Sequence, residues 1–211
     1  MTRAKDFDFE DAIGGDKKDA KKALDPLEDE DKKCWAKYPK GINSKLKARA
    51  PSMAPSAMLR KENSGHLVTM GDEDYLEFST EKPAIGTHGL CGCTAVVVIT
   101  QNGAIVAHVS PNTAKAHDQF VNLRNFFNDK IKDKQTITRI VVFSPQGLTG
   151  VQAKFQDACK AFTKHIFTTE PEPKTYDRAE TEQSGEKWGT VVVVKEGTGA
   201  AKLYLNDEEV A

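Results

Sequence analysis

No apolar run in this 211-residue chain approaches the roughly 20 residues that a membrane-spanning helix needs. The longest are "TAVVVI", "IVVF" and "TVVVV". The first residues, "MTRAKDFDFEDAIGGDKK", contain no apolar core of a secretory signal, so a cytoplasmic protein is expected. Charge of one sign is also missing. Thirty Lys and Arg against thirty-one Asp and Glu leave a formal net charge of −1, which points neither to nucleic acid nor to an acidic membrane surface. Cysteine is sparse. Cys34, Cys91, Cys93 and Cys159 are too few for a disulfide-built scaffold, and reduced thiols are expected. Internal repeats, a glycine-rich phosphate loop, HExxH and GxSxG are all absent.

What is present divides into two parts. Residues 1–62 are rich in Lys, Asp and Glu and poor in Val, Ile and Phe, a composition that does not readily offset its own ordering entropy. They read as a charged, flexible extension with a short helix over 16–24, a linker at "APSMAP", and a basic cluster, "KLKAR", suited to docking or to simple solvation. An ordered domain then occupies 63–211. "HLVTM" and "DYLEFS" alternate apolar and polar residues around "GDE" and predict a hairpin. "TAVVVIT" and "AIVAHV" flank Asn102-Gly103, a strong hairpin signal. Phe120, Leu123, Phe127 and Ile131 form one helical stripe; Val151, Phe155, Ala158, Cys159, Phe162 and Ile166 form another. "TRIVVFS" and "TVVVV" read as buried strands, and "EPEPKTYDRAETEQSGEK" as a long polar loop. About seven strands and two helices give an α+β fold, a layered sheet with helices on its flanks.

The chemistry concentrates in "THGLCGCTAVVVITQNGAIVAHVSP", residues 87–111. Cys93 stands at the mouth of a strand among small residues, which allow a substrate backbone to come close. The amides of Gly92 and Thr94 are candidates for an oxyanion site. His108 interrupts an apolar strand. A cysteine and a histidine are the minimal pair for nucleophilic catalysis, the imidazole taking the thiol proton, and a third group, here Thr87, would fix the ring. Cys91 and Gln101 are candidate substrate contacts. A two-residue turn at Asn102-Gly103 would pair His108 with Val97, four residues from Cys93, so contact demands a bend near Gly92. Three other readings stand beside this one. The stretch reads equally as a core hairpin that happens to contain sulfur. His88, Cys91, Cys93 and His108 form a Cys₂His₂ zinc set, though with unusual spacing. A Cys91–Cys93 disulfide would close a strained ring.

"THGLCGCTAVVVI" resembles the "TxGLGSCVAV" segment of CheD-type chemoreceptor glutamine deamidases and the "LSGC" segment of the cytotoxic necrotizing factor catalytic domains. "GAIVAHVSP", residues 103–111, resembles the "GGMAHxMLP" segment that carries the histidine of the CheD type. The likeness spans roughly residues 80–112. It implies a β-sandwich-like core with two flanking helices, Cys93 as nucleophile, His108 as base and Thr87 as the residue orienting it. The implied reaction is a cofactor-free and metal-free hydrolysis of a glutamine side-chain amide on a protein substrate. A monomeric, toxin-like effector that binds neither nucleic acid nor membrane fits this picture, with transamidation where an amine intercepts the thioester. Two departures stand out: Cys91 replaces the Ser or Gly of the families, and the glycine-rich segment after the first CheD helix is absent, so chemoreceptor docking does not carry over. The alternative is a catalytically inactive binding module of the same fold, using its charged tail to dock a partner. The enzyme reading predicts Cys93 partly exposed in a narrow cleft; a binding module predicts Cys93 deeply buried.

Overall fold

The computed structural model describes residues 7–14, 17–37, 55–59, 65–177 and 189–211. The elements, in chain order, are α1 (Phe9–Ile13), α2 (Lys17–Lys37), α3 (Pro55–Met58), β1 (Gly65–Leu67), β2 (Glu73–Glu77), β3 (Ala84–Thr87), β4 (Thr94–Thr100) and β5 (Gly103–Val109). There follow α4 (Thr113–Phe126) with a π-helical turn at Phe127–Ile131, β6 (Ile137–Pro145), α5 (Gly150–Phe167), β7 (Glu172–Tyr176), β8 (Val191–Val194), β9 (Lys202–Leu205) and β10 (Glu208–Glu209). The fold is α+β. One sheet has the order β1-β3-β8-β9-β10 and the other β2-β5-β4-β6-β7.

The apolar runs of β4 and β5 are buried at every position, which is why they read as continuous rather than alternating hydrophobic segments. One face of each strand meets the other sheet: Ala95, Val97, Ile99 and Val106 share a core with Ile85, Val191, Val193 and Leu203. The opposite face, including Val96, Val98, Ile105 and Ala107, is covered by helices through Phe120, Leu123, Phe155 and Cys159. α3 caps the outer face of the first sheet, where Met58 and Leu59 meet Ala84, Val192 and Val194.

The helical stripes fall where their periodicity places them, with one irregularity. Phe120 and Leu123 belong to regular α4, whereas Phe127 and Ile131 belong to the π-helical turn that continues it. Asn112 caps α4 by accepting from the Lys115 amide at 3.2 Å.

Several expectations are corrected. β1 and β2 are not a hairpin: β1 pairs in parallel with β3 and β2 antiparallel with β5, so "GDE" belongs to a crossing between sheets. The polar loop contains a strand, since β7 runs parallel to β6 at the sheet edge, where Pro173 leaves no central ladder position unfilled. The hairpin of β4 and β5 turns one residue earlier than Asn102-Gly103 suggests. Ile99 faces Ala104, leaving Gln101 and Asn102 at the tip, and the Thr100 hydroxyl donates to the Gly103 carbonyl at 2.9 Å. Gly103 is used for close approach instead: a Cβ there would lie 2.5 Å from the Leu76 carbonyl oxygen.

The largest difference concerns the first 62 residues. Composition places them outside the core, but their described parts are packed into it. Phe7, Phe9, Ile13, Ala20, Leu24 and Leu27 are all at most 3 % exposed and belong to the cluster beneath the helices. Phe9 stacks on Phe155 at 5.0 Å and meets Phe162 edge-on at 4.8 Å. The helix expected over 16–24 runs on through Lys37. "KLKAR" lies outside the described residues.

Candidate functional site

The corrected turn decides where His108 sits. It faces Ala95 across the β4–β5 ladder, not Val97. Cys93 is two residues before Ala95. Side chains alternate along a strand, so Cys93 and His108 are on the same sheet face, the one turned toward the other sheet. The separation along the strand is halved, and the chain bends at Cys91 and Gly92, just before β4, as expected. Thr87, the last residue of β3, comes from the other sheet, and its Oγ1 lies 2.8 Å from His108 Nδ1. Thr87, Cys93 and His108 are all fully buried. Thr87 and His108 thus meet across the two sheets, with Cys93 two residues along the same face of the chain.

The imidazole of His108 has one bonded nitrogen and one without a partner. Nε2 is buried and makes no hydrogen bond, a state that costs about 1–3 kcal/mol in a folded protein. Burial, with a smaller contribution from the neighbouring His88, pushes the His108 pKa down to about 3. Burial alone pushes His88 to about 3 as well. Both rings are therefore neutral at physiological pH.

The segment 88–93 is held from several sides. The Leu90 amide donates to the Gly189 carbonyl at 3.1 Å. The Tyr176 hydroxyl donates to the Cys93 carbonyl at 2.7 Å. The Thr94 hydroxyl donates to Gln156 Oε1, and Gln156 Nε2 is buried without a hydrogen-bond partner. α2 lies directly against the same segment. A Cβ on Gly92 would meet the Leu27 carbonyl oxygen at 2.9 Å and the Leu27 Cβ at 3.1 Å, and a Cβ on Gly89 would meet the Trp35 Cα at 3.3 Å. The Trp35 ring stacks on His88 with centroids 4.2 Å apart and planes 16° apart, and meets His108 edge-on at 5.9 Å.

Three expectations about this site fail. Cys93 is not partly exposed in a cleft but fully buried, because it belongs to the core between the two sheets. Gln101 is exposed at the tip of the β4–β5 turn, at the far end of β4 from Cys93, about 26 Å along the strand, so it does not belong to the site. The thiols divide as well. Cys91 is disulfide-bonded, against the expectation of reduced cysteines, whereas Cys93 and Cys159 are not. Its sulfur is thus neither a thiol available to substrate nor a ligand for the Cys₂His₂ set. Among the described residues no group of three or more His, Cys, Asp or Glu could hold a metal ion.

Trp35, Tyr176 and Gln156 were not legible as site residues. Trp35 sits in a segment whose composition argues against packing. Tyr176 lies in a stretch dominated by charge and proline, its one strand signal being the short alternation "KTY". Gln156 occupies a polar interval between Phe155 and Ala158 with nothing to set it apart.

No protein-family model matches this chain, and comparison with curated proteins finds no significant relative.

Proposed function

We propose that this protein is a Cys–His hydrolase that deamidates a glutamine side chain on a protein substrate, in a fold of the CheD and cytotoxic necrotizing factor kind. The observation that carries this reading is the 2.8 Å contact between Thr87 Oγ1 and His108 Nδ1 beside a buried Nε2 with no hydrogen-bond partner, on the sheet face that also bears Cys93. With the Nδ1 proton donated to the Thr87 oxygen, Nε2 carries the lone pair that a general base needs. Nε2 takes the Cys93 proton, and the thiolate attacks the γ-carboxamide carbon. The tetrahedral intermediate expels nitrogen, which leaves as ammonia with the proton returned by His108. Water, deprotonated at Nε2, then cleaves the thioester, giving glutamate and the regenerated thiol. The amides of Gly92 and Thr94 are candidates to face the developing oxyanion. An amine in place of water would give transamidation.

A second reading has one specific observation in its favour. Full burial of Cys93 suits a binding module that kept this fold without its reaction. The two are separated by incubating the protein and its Cys93→Ser variant with a cell extract and mapping glutamine-to-glutamate conversion by peptide mass spectrometry. Conversion of particular glutamines by the wild type, lost in the variant, is the expected result. Conversion that persists in Cys93→Ser would remove the thioester route.

A further inference from the structure

We propose that Cys91 is disulfide-bonded to Cys34, and that this bond is a redox latch holding the end of α2 against residues 88–92.

The pairing follows by elimination. The chain has four cysteines. Cys91 is disulfide-bonded, and Cys93 and Cys159 are not, which leaves Cys34 as the in-chain partner. The backbone supports the same pairing. Cys34 precedes Trp35 on α2, and a Cβ on Gly89 would lie 3.3 Å from the Trp35 Cα and 3.4 Å from the Trp35 nitrogen. Contact this close, one residue from Cys34 and two from Cys91, is what a disulfide needs, since its Cα atoms stand no more than about 7 Å apart.

α2 is held in two different ways along its length. As far as Glu28 it belongs to the body of the protein. Ala20, Leu24 and Leu27 share one core cluster, and the Gln152 side-chain amide donates to the Ala23 carbonyl at 3.0 Å. Glu28 is tied to α4, with Lys115 Nζ at 2.9 Å and Asn112 Nδ2 at 3.3 Å. Beyond Glu28 the anchoring changes. Asp29, Lys32 and Lys33 are exposed, and Lys32 pairs with Glu28 and Asp29 of its own helix. Exposed pairs of this kind hold little. Among the described side chains of this end, Trp35 packs on the rest of the molecule, stacking on His88 with centroids 4.2 Å apart. Neither Cys91 nor any described residue of α2 beyond Leu27 belongs to the clusters that join the sheets and helices. The bond therefore secures a helix end and not the fold.

A dithiol reductant supplies the two electrons that open it. One thiolate of the reductant attacks a sulfur of the bond, forming a mixed disulfide and releasing the other cysteine. The second thiol then displaces the remaining cysteine and closes the reductant's own disulfide, so Cys34 and Cys91 each end with one proton. The end of α2 then keeps Trp35 as its described contact, and residues 29–37 leave 88–92. His88 and the chain leading into Cys93 are uncovered, while Cys93 stays in the core between the sheets. The consequence for deamidation rests on the catalytic reading: the reduced protein is the form with an open approach to residues 88–92. The latch itself does not rest on that reading.

The test uses the full-length protein. Thiols are blocked, and unreduced peptides are mapped by mass spectrometry with fragmentation that separates Cys91 from Cys93. Cys34 linked to Cys91 is expected; any other pairing, or four blocked thiols after air oxidation, overturns the proposal. Hydrogen exchange then compares the oxidised protein with the same protein in dithiothreitol. Peptides covering 29–37 and 88–92 should exchange about tenfold or more faster when reduced, with those of β4 and α5 unchanged. An unchanged 29–37 contradicts the latch. So does an equal rise throughout, which would make the bond a staple of the whole fold. Cys34→Ser should show the reduced pattern without reductant, and a variant that exchanges like the oxidised wild type counts against the proposal equally. Neither readout is activity, so a latch that opens as stated in a protein that deamidates nothing would refute the enzymatic reading alone.

Discussion

At the scale of single residues, the site is built from groups that are costly to bury. His88 and His108 are neutral rings in a folded protein and ordinary imidazoles in the unfolded chain, whose pKa values fall from 6.5 to about 3 on burial. Between those two values the unfolded chain binds protons that the folded protein does not. Stability is unaffected by these rings above about pH 6.5 and is lost as pH falls toward 3, at about 1.4 kcal/mol per pH unit for each ring. His108→Gln removes one of the two. The stability advantage of the wild type over His108→Gln, measured by urea unfolding, should therefore shrink by about 2–3 kcal/mol between pH 7.5 and pH 4.5. An advantage that stays constant or grows on acidification contradicts the buried neutral state. The same residue scale explains what the sequence makes visible. Cys93 and His108 stand out because each interrupts a run of small or β-branched residues, and their order along the chain resembles that of known deamidases. Thr87 stands out only through that resemblance, since nothing in "AIGT" marks its hydroxyl as more than a strand residue.

At the scale of elements, the strands, the two central helices and the β4–β5 hairpin were legible, whereas that hairpin's register and the other strand pairings were not. β4, β5, β6 and β8 are apolar runs of strand length, α5 carries an unbroken stripe, and that of α4 continues into the π-helical turn. Register is a different matter. Asn102-Gly103 is a strong turn signal, yet Gly103 is taken by the close approach of β2, and the turn moves back to Gln101-Asn102. That single step carries His108 from Val97 to Ala95 and toward Cys93, a shift that depends on a third strand distant in sequence. The N-terminal segment hid for a similar reason. Its apolar residues, Phe7, Phe9, Ile13, Leu24 and Leu27, are few and widely spaced, so window averages record charge alone. They are anchors dispersed over a solvated face. Phe9→Ala should accordingly cost about 3–5 kcal/mol of unfolding free energy, the range for a large aromatic removed from a core. A loss under about 0.5 kcal/mol would return residues 7–14 to the status of a surface appendage.

At the scale of the whole molecule, the chain is a pair of five-stranded sheets with a helical layer, and its candidate site lies where both sheets and the N-terminal helix converge. Each layer supplies one part: Thr87 from one sheet, Cys93 and His108 from the other, and Trp35 and Leu27 from the helix above. Among the described residues no helix is long and apolar enough to cross a membrane. Cys93 is buried in the core between the two sheets, and Leu27 and Trp35 pack on the segment that precedes it. The central claim is that Cys93 and His108 act as one chemical pair, and the most direct measurement is the labelling rate of Cys93 at neutral pH in the wild type and in His108→Gln. Because the thiolate is the reacting species, loss of its base should slow Cys93 about tenfold or more while leaving Cys159 unchanged. Equal Cys93 rates in the two proteins would show a thiol indifferent to His108, and would contradict the account.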